Sequence, residues 1–197
     1  MTIRLALVCA AAPKGREVRF ADTPLDEQTL RQAHVAAASL PAATRLYTAP
    51  SQRCRQTAEA FGWDAAVTES ALRDVDMGSW HGRTPEEVAT ADPAAFTAWL
   101  SDPEAAPQGG ESVAEVCRRV ADWLDALPAE AGRVTAVVEQ AVARAAVIRA
   151  LSAPLTSFWR VDVPPLTAVS LTGRAGRWNL RLGPAFVESP VEEGEDG

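Results

Sequence analysis

The run Ile3-Arg-Leu-Ala-Leu-Val-Cys9 constrains what this chain can fold into more than any other feature. It is too short for a helix that buries a face, and too continuously apolar for a strand with one side in water. Strands of this kind are covered on both sides, in sheets flanked by helices. Arg133-Val-Thr-Ala-Val-Val138 makes the same demand far along the chain. Helical patterns alternate with these runs. The pattern predicts a helix from about Asp26 to Leu40, a strand over Arg45–Thr48, and a helix through Phe61 with Pro50 at its start. Ala65 to Trp80 reads as less regular. Thr84-Pro85 opens a short helix and Asp92-Pro93 another, ending near Leu100. Ser112-x-x-Glu115 matches a capping box, and Val113, Val116, Cys117, Val120, Trp123, Leu124 and Leu127 follow it at the spacing of one buried face. Ala141 to Leu151 reads as the helix after the second buried strand. Thr167–Thr172 and Trp178–Leu182 flank Gly173-Arg-Ala-Gly176 as a closing hairpin.

This alternation predicts an α/β protein, a three-layer sandwich with an open, mostly parallel central sheet flanked by helices. One domain is expected over residues 1–187, with an acidic, disordered tail over 188–197. Ligands of such sheets bind beyond the carboxyl ends of the strands. That rule nominates Cys9, Ala10 and Ala11, then Thr48 to Arg53, then Glu139 and Gln140. Composition narrows the partners: the net charge is -7, with 26 acids against 19 bases, which argues against nucleic acid. Five of the acids, Glu188, Glu192, Glu193, Glu195 and Asp196, lie in the last ten residues. No apolar stretch approaches the roughly 20 residues a membrane span needs. Arg4 and the apolar residues after it imitate a signal peptide, but a first buried strand is the better reading. Cys9, Cys54 and Cys117 are odd in number and lack metal-ligand spacing, which points to reduced thiols in a cytoplasmic protein. Cys117 falls on the buried helical face.

Three further blocks fall in one order: Tyr47-Thr-Ala-Pro-Ser-Gln-Arg53-Cys-Arg-Gln-Thr-Ala58, Leu72-Arg-Asp74-Val-Asp-Met-Gly78-Ser-Trp80-His-Gly82, and Gly109-Gly-Glu-Ser112. Together they resemble the histidine phosphatase superfamily, the phosphoglycerate-mutase-like proteins, from Ile3 to about Leu182. The resemblance implies that fold, and it implies that Asp74 stands at the position of the catalytic acid. In the family the first strand runs into Arg-His-Gly, whose histidine attacks phosphorus, and a later strand runs into Ser-His-Gly-Gly, whose histidine assists. Here those blocks read Val8-Cys9-Ala10-Ala11 and Val138-Glu139-Gln140-Ala141. By this resemblance Ala10 holds the nucleophile's position, Glu139 the second histidine's, and Cys9 that of a phosphate-clamping arginine. A methyl group cannot form a phosphohistidine, so the resemblance implies that this chemistry is lost. Only His34 and His81 are present in the chain. His34 reads as structural, on a helix near Leu30. His81 lies in a loop near the expected pocket wall, with Trp80 at its mouth. Cys9 reads as a small buried thiol, with a thiolate nucleophile or a disulfide to Cys54 as alternatives.

Arg53 would face two carboxylates, Asp74 and Glu139, so phosphomonoesters should be repelled. Two readings from different classes follow. In the first, Glu139, Asp74 and Arg53 perform acid/base catalysis on a non-phosphorylated small molecule, with Cys9, Ala10, His81, Trp80 and Gln140 around the ligand. In the second, the protein is a silent pseudophosphatase that binds a ligand, a second copy of itself or a partner protein, and Arg53 merely neutralises the acids. A phosphomonoesterase with a non-standard nucleophile is a third. No cofactor is expected, and no metal is assigned, although Asp74, Asp76 and Glu139 form a conceivable carboxylate set for Mg²⁺.

Overall fold

The structure, a computed structural model, describes residues 1–12 and 18–183. The expected tail over 188–197 lies outside the described residues. The strand β1 (Ile3–Cys9) occupies the span read from the sequence and lies between β4 (Arg133–Val138) and β5 (Ala168–Arg174). Its apolar residues from Leu5 to Cys9 are all buried, as a strand covered on both faces requires. The sheet has six strands in the order β3-β2-β4-β1-β5-β6, with β2 at Arg45–Thr48, β3 at Val67–Thr68 and β6 at Arg177–Arg181. Pairs β1–β4, β2–β4 and β2–β3 are parallel, whereas β5 and β6 run antiparallel and close the sheet. The parallel strands therefore end together: Thr48 stands beside Val137, and Cys9 beside Val138.

The helices α1 (Glu27–Ala36), α2 (Gln52–Ala60), α3 (Pro85–Ala91), α4 (Pro93–Ser101), α5 (Val113–Ala126) and α6 (Gln140–Leu151) surround this sheet. Local chemistry explains most of their ends. Both capping boxes form, Thr84 with Glu87 and Ser112 with Glu115. α1 stops earlier than expected and passes through a 3-10 turn, Ala37–Ser39, because Leu40 precedes Pro41 and is held extended at ψ 142°. α2 begins at Gln52 with Ser51 as its cap, so Pro50 lies just outside its first turn. The region read as irregular contains β3, whose two residues are too few to show a period. The hairpin is tighter than expected. Ala175 and Gly176 both have positive φ, 49° and 74°, the signature of a two-residue loop. Gly173 stays in β5, where a Cβ would stand 2.6 Å from the Trp178 ring.

α5 packs on α6, and α6 on β1, β5 and β6. A second, smaller cluster holds Trp80, Val88 and Trp99, with Phe20 and Phe96 against them. Trp80 is thus a core residue and not the rim of a pocket. Its ring stacks on Phe20 at 6.1 Å between centroids and meets Trp99 edge-on at 5.6 Å. Trp123 and Trp178 are buried as their positions on helix and strand predict. No helix among the described residues is long and apolar enough to cross a membrane.

Leu7 is fully buried in the central strand. Leu7→Ala is expected to cost about 2–5 kcal/mol through lost transfer energy and an unfilled cavity, read as a lower urea midpoint at unchanged m-value.

Candidate functional site

Beyond the backbone ladder of β2 and β4, which runs out at the Ala49 amide on the Val137 carbonyl, side chains continue the link between the two strand ends. Glu139 follows β4 directly as the N-cap of α6, but its carboxylate makes no capping bond to that helix. It accepts a forked pair from Arg53 instead: Nη2 to Oε2 at 2.6 Å and Nε to Oε1 at 3.2 Å. The Ser51 hydroxyl donates to Oε1 at 2.8 Å, and the Cys54 thiol lies 3.5 Å from the same oxygen. Glu139 is 5% exposed, so this is a buried charge with its partners supplied. Burial disfavours the Arg53 guanidinium, yet Glu139 outweighs it and raises the Arg53 pKa above its ordinary value. The N-terminus of α2 is also occupied. Asp22 accepts from the amides of Gln52 at 2.6 Å and Arg53 at 3.1 Å, and Ser51 Oγ accepts from the amide of Cys54. Two internal carboxylates thus take the donors that an incoming anion would use.

Asp74 lies on the loop after the 3-10 turn Ser70–Leu72. This loop hangs from Arg119 of α5, which donates to the carbonyls of Ala71 and Arg73 at 2.8 and 3.0 Å and forks onto Glu111 at 3.0 and 2.9 Å. Glu111 also accepts from Arg73 and from the Asp76 amide. Gly110 presses on the same loop so closely that a Cβ would stand 1.9 Å from the Asp76 carbonyl oxygen. The Gly109-Gly-Glu-Ser112 block is therefore more than the opening of α5: it sets the height of the Asp74 loop. Asp74 is exposed as a residue, while protein crowds its carboxyl. That crowding, followed by the charge of Glu139, raises its pKa from 3.8 to about 7, against the opposing pull of Arg53.

The remaining nominated residues divide. Ala10 and Cys9 are buried at the end of β1, where the Ala10 amide donates to Val138 and the Cys9 amide to Thr167. Burial, then Glu139, pushes the Cys9 thiol up to about 12, and Cys54 is likewise pushed well above its ordinary value. Neither offers a thiolate, and all three cysteines are free, so no disulfide joins Cys9 to Cys54. Gln140 is half-buried in the first turn of α6. His81 is exposed on the loop after the 3-10 turn Gly78–Trp80. His34 Nδ1 lies 3.2 Å from the Ala60 carbonyl oxygen, tying α1 to the end of α2. Arg144 bonds to the Val161 carbonyl and lies 5.5 Å from the Trp159 ring centroid. Among the described residues, no group of three or more His, Cys, Asp or Glu is placed to hold a metal ion.

A parallel-centred sheet with an arginine after β2, a glutamate after β4 and an aspartate on the adjoining loop defines an α/β protein whose candidate site lies at the carboxyl ends of its strands. The model of the histidine phosphatase superfamily (branch 1) matches residues 10–183, and the chain belongs to that superfamily. It is 31% identical over 156 residues to phosphoserine phosphatase 1 of Hydrogenobacter thermophilus, covering 75% of this chain and 74% of that protein. It is 36% identical over 103 residues to glucosyl-3-phosphoglycerate phosphatase of Mycolicibacterium vanbaalenii, spanning 50% of this chain and 46% of that one. The solved structure of mycobacterial hydrolase 1 shares the fold, with a TM-score of 0.78 at 24% identity over 92% of this chain and 98% of that one.

The raised pKa of Asp74 fixes the sign of a stability effect. A carboxyl that binds its proton more tightly when folded contributes stability below about pH 4, and this is lost as pH rises through about 7. Asp74→Asn should therefore melt above wild type in alkaline buffer, with the gap closing toward pH 4; a pH-independent gap would contradict this. Glu139→Gln should move the Asp74 carboxyl titration downward, followed by carbon NMR, because a neighbouring negative charge has been removed.

Proposed function

We propose that this superfamily member does not hydrolyse phosphomonoesters through phosphohistidine and works by binding, as a pseudophosphatase. The observation that carries this is the Glu139 carboxylate seated in the fork of Arg53, with Ser51 donating to the same group. A phosphate entering here must displace a buried, fully paired carboxylate, and removing one partner of such a pair costs about 3–5 kcal/mol. The alanine at the end of β1 and the glutamate at the end of β4 add no imidazole. With Arg53 and Glu139 cancelling, the charge of the cleft is set by Asp74. That favours a neutral or cationic small molecule, or a partner protein, over an anionic ester.

A second reading has its own support. Crowding and the charge of Glu139 raise the Asp74 pKa to about 7 on an exposed loop, which suits a general acid or base acting on a non-phosphorylated substrate. In that case Asp74 alone exchanges the proton, and Glu139, held by Arg53, adds to the crowding that raises its pKa.

The relatives named as phosphatases make phosphoserine and phosphoglycerate-type esters the first compounds to test. A panel of these with p-nitrophenyl phosphate, run with acid-quenched trapping of a phosphoenzyme, should give neither turnover nor a labelled protein. Turnover at the rate of a dedicated phosphatase would overturn the proposal and require a non-standard nucleophile. The double change Ala10→His with Glu139→His should restore part of a phosphate site, read as vanadate binding absent from wild type.

A further inference from the structure

One sheet face far from this cleft carries an uncompensated charge that the reading above does not use. Side chains of laterally paired residues point to the same side of a sheet, as do residues two apart along a strand. Arg4 pairs with Arg133 and Thr172, Thr172 with Asn179, Ser170 with Arg181, and Arg174 with Arg177. Arg4, Arg133, Arg174, Arg177 and Arg181 therefore share one face of β4-β1-β5-β6, and all five are exposed. The other side chains of that face in these pairs, Thr172, Asn179 and Ser170, bring no negative charge. Arg4 beside Arg133 and Arg174 opposite Arg177 are like-charged neighbours, an arrangement that costs stability when left alone. None of the five joins an ion pair among the described residues. Three of them, Arg4, Arg133 and Arg181, line one depression of about 170 Å³ with Thr135 and Ser170.

Five arginines gathered on one face of a chain with net charge -7 call for an anionic cover. We propose that this face docks the chain's own acidic C-terminal segment, residues 184–197. Two residues separate the segment from the arginine-bearing strand β6, and its acids Glu188, Glu192, Glu193, Glu195 and Asp196 match the five arginines in number. Reach is ample: 14 residues extend to at most about 50 Å, whereas β6 and β4 are three strand spacings apart, roughly 14 Å. The docked segment offsets the like-charge pairs and keeps the face closed to other polyanions. The inference does not depend on what the cleft does.

The test compares three full-length proteins: wild type, a tail variant (E188Q, E192Q, E193Q, E195Q and D196N), and a control that removes five acids elsewhere (E27Q, E59Q, D64N, E86Q and E130Q). In low salt the tail variant should shift the arginine Nε–Hε and backbone amide signals of β5 and β6, and added salt should shift wild type the same way. It should also be retained on immobilised heparin while wild type and control pass through. Adding R177Q and R181Q to the tail variant should abolish that retention. Signals unmoved by the tail changes would overturn the proposal. So would equal shifts or retention in the control, or retention of wild type, which would mean that the face stands open to an external polyanion such as a nucleic acid.

Discussion

Two nitrogens of Arg53 on two oxygens of Glu139 tie the first turn of α2 to the start of α6, just past the paired ends of β2 and β4 and across 86 residues of chain. The pair stands where parallel strands leave backbone groups and helix termini facing one cleft, the place where this architecture gathers its ligands. A buried charge must find a partner, and here both partners come from the protein. Ser51, Cys54 and, on the other side of α2, Asp22 complete the arrangement. What would be an anion-receiving surface is satisfied from within, and the rest of the cleft takes its properties from that fact.

Asp74 is the clearest example. Its proton affinity follows from crowding by the protein and from the fixed negative charge of Glu139, with Arg53 too committed to cancel both. Its position follows from a separate device, the fork of Arg119 on Glu111 beneath the loop and the side-chain-free approach of Gly110. Charge is thus set at the carboxyl ends of β2 and β4, and placement at the start of α5. The two can be altered independently, which makes the site accessible to experiment.

Much of the fold was legible because its causes are local. The continuous apolar runs of β1 and β4, the boxes at Thr84 and Ser112, and the face of α5 each lie within a few residues of their own determinants. Arg53, Asp74 and Glu139 could be nominated from strand ends and from a family likeness. The fork between Arg53 and Glu139 could not, because nothing in either segment shows how two side chains 86 residues apart will meet. The place of Trp80 is hidden for the same reason: beside His81 it suggests a pocket mouth, but Phe20, Phe96 and Trp99 arrive from other segments to bury it. The role of Glu111 is equally invisible in the sequence, since its partners Arg73 and Arg119 come from either side in the chain and converge only in the fold.

The Nε–Hε resonance of Arg53, followed by NMR while inorganic phosphate is titrated into the wild-type protein, tests the central claim most directly. A forked bond to a buried carboxylate predicts a downfield signal, slow to exchange with water and unmoved by phosphate. A saturable shift with loss of exchange protection would mean that phosphate displaces Glu139, and that the cleft still receives the ligand of its family.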